Sequence, residues 1–82
     1  MDVDMVFVWW PDRITRAAVA VDLEVAEVGS VAEVCRDDWR LPREGRWTLA
    51  FHNVVLDAGR TLRSYGIKAG AELSLVNIGG SV

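Results

Sequence analysis

The residues of this chain that can do chemistry are few and scattered. It holds one cysteine, Cys35, and one histidine, His52. A reactive thiol needs a basic neighbour and exposure, and a cysteine–histidine dyad needs hydrogen-bond reach. Cys35 sits instead in an apolar helical pattern, which suits a buried, inert thiol. His52 sits in a hairpin turn, far along the chain from that helix. A lone thiol and a lone imidazole cannot assemble a zinc site, so neither a metal nor a cofactor is expected. Asp2/Asp4 and Asp37-Asp38 are carboxylate pairs without a cleft and read as solvated faces. "GIKAGAE" (66–72) leads into a strand rather than a helix, so it is no phosphate loop. No catalytic residue emerges, and an enzyme is not expected. There remains "LSLVNIGGSV" (73–82), where Gly79-Gly80 follows an alternating apolar strand. It is either a chemical handle or a flexible end, since glycine permits many conformations and termini are often loosely held.

Composition narrows the alternatives. Eighty-two residues make one domain with a small core, and a 51% hydrophobic content argues against disorder. The net charge is −3, with eight arginines and one lysine dispersed among twelve acids. The isoelectric point near 4.9 excludes the basic stripe of a nucleic-acid binder. One cysteine precludes an internal disulfide and makes a cytoplasmic setting the default. No apolar run approaches the ~20 residues of a membrane span. "MDVDMVFVWW" lacks the basic start of a secretory signal. The expectation is a soluble protein without direct membrane insertion.

Periodicity supplies the elements that must position any site. "VDMVFVW" (3–9) alternates, with Val3, Met5, Phe7 and Trp9 on one face, and reads as a first strand with Trp9 in the core and Trp10 turned outward. Pro11-Asp12 makes a turn, and "ITRAAVAVDLEV" (14–25) alternates again, placing Ala17, Val19, Val21 and Leu23 together. Ser30 and Glu33 have capping-box spacing, and Val31, Val34 and Cys35 have helical spacing. The acids Asp37 and Asp38 are unfavourable at a helix C-terminus, so the helix ends about there, ahead of Pro42. "RWTLAFHNVVLD" (46–57) gives two short strands around His52-Asn53, Thr61–Tyr65 a short turn of helix, and "AELSLVNI" (71–78) the last strand. The order β-β-α-β-β-turn-β implies an α+β roll, with one main helix over a mixed sheet of about five strands and the last strand beside the first.

"FHNVVLDAGRTLRSYGIKAGAELSLV" (51–76) resembles ubiquitin through Phe51, Leu56, Asp57, Gly59-Arg60-Thr61-Leu62, Tyr65, Ile67, Leu73, Leu75 and Val76. The resemblance implies the β-grasp fold, with a ubiquitin-like domain over residues 1–78 and a short flexible tail over 79–82. "PREGRW" (42–47), "TLRSYGIKAGAELSLV" (61–76) and "DLEVAEVGSVAEV" (22–34) are similar to the YukD/EsaB-type ubiquitin-like proteins that accompany bacterial type VII secretion systems. That likeness implies a cytosolic, non-catalytic accessory or regulator whose partners are proteins, secretion-system components among them.

The resemblance also implies where binding occurs. Ubiquitin binds through an apolar patch on the exposed sheet face, and the matching positions are Ala50, Val54 and Val76. Four tryptophans are many for this length. Trp39 and Trp47, with Arg43 between them, form a second candidate surface, since tryptophan and arginine are enriched at binding hot spots. In conjugated relatives the C-terminal glycine is adenylated and passed to a thiol, so the alternative is a modifier clipped to Gly80 and joined through the Gly79-Gly80 tail. This tail is shorter than ubiquitin's and lacks its arginines. Lys68 is the only lysine that could accept a side-chain linkage. The resemblance further implies that the Tyr65 hydroxyl donates to backbone and pins the preceding loop.

Overall fold

The structure, a computed structural model, describes residues 3–79. Strand β1 (Asp4–Trp9) and strand β2 (Arg16–Val21) form an antiparallel hairpin. The Asp12 carboxylate organises its turn by accepting the backbone N–H groups of Ile14 and Thr15 at 2.9 and 3.0 Å. Helix α1 (Val28–Asp38) follows, then β3 (Trp47–Phe51) and β4 (Val54–Val55). His52 and Asn53 both have positive φ, 51° and 65°, the backbone that a two-residue hairpin turn of matching twist requires. A single 3₁₀ turn, Arg63–Tyr65, precedes the last strand, β5 (Glu72–Asn77).

The sheet order is β2-β1-β5-β3-β4. β5 is parallel to β1 and antiparallel to β3. The last strand thus lies beside the first in a mixed five-stranded sheet under one helix, the α+β roll expected from the element order and the β-grasp implied by the resemblance. Val6 and Val8 of β1, Leu73 and Leu75 of β5, and Leu49 of β3 face α1. The helix answers with Val28, Val31, Ala32 and Cys35, and Leu56, Leu62 and Ile67 close the lower side. Strand parity explains this layer, since residues two apart share a face.

Parity also reverses an expectation. Val6 and Val8 are fully enclosed, while Met5 is 45% exposed. The face carrying Met5, Phe7 and Trp9 is therefore the outer one. Trp9 is not a core residue: its indole N–H donates to Glu72 Oε1 at 2.8 Å on the sheet surface. Trp10, expected to point outward, is half-buried and stacks on Trp39 with 4.7 Å between ring centroids. The run "MVFVWW" is apolar on both faces, so alternation alone could not say which face is buried.

Helix α1 begins two residues before the expected cap, with Glu27 at the N-cap and no side-chain cap bond. Its first free N–H groups are met by another segment. Val28 N–H donates to Arg60 O at 2.8 Å and Gly29 N–H to Ala58 O at 2.9 Å. A helix start needs partners for its orphan donors, and here a distant loop supplies them. A Cβ on Gly29 would sit 2.9 Å from Ala58 O, so glycine allows the loop this close.

Tyr65 pins the loop as expected, with the opposite hydrogen-bond sense. The Asp57 N–H donates to the Tyr65 hydroxyl at 2.8 Å. Tyr65→Phe removes this acceptor and should cost about 0.5–1.5 kcal/mol, read as a lower denaturant midpoint at unchanged slope. An unchanged midpoint refutes the bond's structural role.

Candidate functional site

The outer face of the sheet carries a shallow groove of about 640 Å³, lined by Trp9, Trp10, Ala50, Val55, Ser74 and Val76 among others. The registers build it. Ser74 lies between Trp9 on one side and Ala50 on the other, and Ala50 lies opposite Val55. Small side chains on β5, β3 and β4 form the floor. Trp9 and Trp10 raise one wall, and the β1–β2 turn brings Pro11 and Arg13 to the rim.

The rim is held by polar contacts. Glu72 Oε1 accepts from Trp9 and lies 3.4 Å from Arg16 Nη1. The Arg16 guanidinium also covers the Phe7 ring at 4.6 Å, a cation–π contact. The Asp12 carboxyl is held below its ordinary range by the N–H of Ile14, then that of Thr15, with the Thr15 hydroxyl adding. A lowered native pKa means that this support of the turn is complete above the unfolded pKa. It is lost as pH falls through the native one.

Of the residues expected at this face, Ala50 and Val76 meet in the groove. Val54 does not line it: it pairs with Phe51 and is 59% exposed, while Val55, opposite Ala50, takes the place assigned to it. Trp9, Ser74 and Val55 also line the groove and were not expected there. The outward placement of Trp9 follows from the enclosure of Val6 and Val8, which no sequence pattern reveals.

The second expected surface, Trp39 with Arg43 and Trp47, is less unified. Trp39 caps the helix and is engaged by Trp10. The Trp47 indole N–H donates to Pro42 O at 2.7 Å. Arg43 is largely exposed, with Nη2 3.6 Å from Asp37 Oδ1, the kind of surface pair that contributes little. The Asp37 carboxyl is lowered chiefly by a hydrogen bond from the Arg36 guanidinium, with the charges of Arg36 and Arg43 assisting. Each tryptophan has its own partner, so these residues frame the helix C-terminus rather than one open platform. Among the described residues Trp10 Nε1 is enclosed without a hydrogen-bond partner, and its ring is held against Trp39 by stacking.

At the C-terminal end, Gly79 is tied to the turn before β3. Its carbonyl accepts the Arg46 N–H at 3.0 Å, and its N–H donates to Asn77 Oδ1 at 2.9 Å. The Asn77 amide donates in turn to Glu44 O at 2.9 Å. Gly80 lies outside the described residues.

Cys35 is enclosed beneath the helix, and burial, aided by the Asp38 charge, pushes its thiol up to about 11. Raised from an ordinary value near 9, this leaves roughly 100-fold less thiolate at pH 8. Because a thiolate of higher pKa is also more nucleophilic, alkylation of the native protein should be slower than that of the unfolded chain by about tenfold or more. Equal rates refute the burial. Among the described residues no three His, Cys, Asp or Glu side chains are grouped to hold a metal ion. Among the described residues no helix is long and apolar enough to cross a membrane.

No protein-family model and no curated protein matches the chain. Solved structures do. The ubiquitin-like domain of an Arabidopsis thaliana protein is 24% identical with a TM-score of 0.76, covering 100% of this chain and 82% of that one. A chain from a structure titled for molecular mimicry of SUMO in DNA repair is 12% identical with a TM-score of 0.76, covering 93% of this chain and 92% of that one. A chain of the toluene 4-monooxygenase HD complex with 4-bromobenzoate is 21% identical with a TM-score of 0.78, covering 93% of this chain and 99% of that one. These likenesses establish the ubiquitin-like β-grasp fold.

Proposed function

We propose that this chain is a non-catalytic protein-binding module whose groove on the outer sheet face receives a partner protein. The observation that carries the reading is that groove: Ala50, Val55 and Val76 form an apolar floor beside Trp9. Apolar surface gathered in this way marks interaction sites, and a tryptophan at its wall suits a hot spot. The sequence likeness to YukD/EsaB-type proteins supports a finer form of the proposal, a cytoplasmic accessory or regulator of a bacterial type VII secretion system. Its partners would then be secretion-system proteins.

The test is native capture from the host with wild-type and Val76→Asp bait. A charge on the groove floor should reduce recovery of specific partners at least tenfold, with the melting midpoint retained. Equal recovery by the folded variant refutes the groove. Recovery through the groove of proteins unrelated to secretion leaves a binding module and removes the secretion assignment.

The other reading, a modifier clipped to Gly80, is supported by the Gly79-Gly80 pair. The hydrogen bonds at Gly79 weigh against a freely presented tail. Denaturing intact-mass analysis separates the two: one species ending at Val82 without adducts supports binding, and a species ending at Gly80 with adducts lost on Gly80→Ala supports conjugation.

A further inference from the structure

Strand β2 is an open edge of the sheet. Met5 and Phe7 of β1 bond toward β5, through Gly70 N–H to Met5 O and Phe7 N–H to Ala71 O. The even residues of β1 therefore bond toward β2, where the register sets them opposite Val21, Val19 and Ala17. By alternation, the N–H and C=O groups of Arg16, Ala18 and Ala20 point away from the sheet. Edge strands are normally blunted by proline, lysine or a bulge. Charged side chains do so too, but in "RAAVAV" only Arg16, at its first position, is charged, and Ala18 and Ala20 are exposed and small. Beside this edge an apolar groove of about 200 Å³ opens between β2 and α1, lined by Val19, Val21, Ala26, Val31 and Val34 among others. Val34, a helix position, is 55% exposed.

We propose that two copies of this chain pair antiparallel through their β2 edges about a two-fold axis at Val19. One register is self-complementary. Pairing Ala18 with Ala20 of the second copy uses the outward backbone groups of both strands over their whole length. It also sets Arg16 of each copy opposite Asp22 of the other, so opposite charges meet at both ends. Val19 then faces Val19, and Ala17 faces Val21, on the helix side. This directs apolar side chains of each copy toward the groove beneath Val34 of the other. The symmetry is that of an isologous dimer. The two sheets become one of ten strands, and the floor around Ala50, Val55 and Val76 stays open, so the pairing is independent of the groove's proposed role.

The axis makes a sharp test. Facing residues of a non-hydrogen-bonded antiparallel pair have Cα atoms about 4.5 Å apart, within disulfide range. In full-length protein carrying Cys35→Ala, Val19→Cys should form a disulfide-linked dimer under mild oxidation. Ala69→Cys, on an exposed loop, should give at least tenfold less. Sedimentation of the wild type from micromolar to millimolar concentration should show a monomer–dimer equilibrium. Ala18→Asp with Ala20→Asp, which sets like charges opposite each other, should abolish the dimer with an unchanged circular dichroism spectrum. A wild type that is monomeric throughout overturns the proposal. A dimer that survives the double substitution, or that fails to crosslink at position 19, uses another surface and equally overturns it.

Discussion

Leu49→Ala should lower the unfolding free energy by about 3 kcal/mol, within the 2–5 kcal/mol span of buried leucine truncations. Leu49 is fully enclosed, lies opposite Leu75 in the β3–β5 register, and belongs to the cluster that faces α1. The cavity left behind sits between helix and sheet, where both layers are anchored by other contacts and cannot simply collapse. For a domain this small, each kcal/mol moves the melting midpoint by roughly 4–8 °C, so a fall of about 10–25 °C is expected. Calorimetry or denaturant titration reads it. Val54→Ala is the comparison, because Val54 is 59% exposed, and it should stay within about 0.5 kcal/mol. Similar losses at the two positions would mean that the β3–α1 layer is not the core.

Gly45→Ala should cost about 1–3 kcal/mol and release the C-terminal end of β5. Gly45 has φ +81°, where a side chain is strained by an amount of this order. Its Cβ would also collide with the Asn77 carboxamide oxygen and lie 2.7 Å from Gly79 O. The side chain of Asn77 can turn, but the Gly79 carbonyl is held by the Arg46 N–H. The expected result is therefore local as well as global: faster amide exchange at Arg46 and Ile78, beyond what the change in midpoint explains. Gly59→Ala is the control, since a Cβ there meets only Asp57 Oδ1 at 3.4 Å. Unchanged protection at Arg46 in Gly45→Ala would refute the tie between this turn and Gly79. The same variant bears on function, because it loosens Gly79 without altering the Gly79-Gly80 pair.

The order of elements, the mixed sheet and the helix end near Asp38 were all legible in the chain. Strand period, turn residues and helix-breaking positions are local properties, and each is written in neighbouring residues. Cys35 as a buried thiol was legible for the same reason, since it has helical spacing with Val31, although Val34 of the same pattern is 55% exposed. The likeness to ubiquitin pointed to Ala50 and Val76, and the β3–β5 register brings both to the same groove.

What stayed hidden depends on contacts between distant segments. The residues "MVFVWW" offer two apolar faces, and the choice between them is made by α1, which covers Val6 and Val8 and leaves Trp9 to Glu72. The capping box at Ser30 lost to carbonyls of Ala58 and Arg60, which no local pattern can announce. Val55 rather than Val54 reaches the groove because a two-residue turn sets Ala50 against it. Local sequence determines period, and hence which residues travel together. Which of two equally apolar faces is buried, and which distant carbonyl meets an orphan N–H, is a difference in free energy that exists only once the sheet and helix have packed.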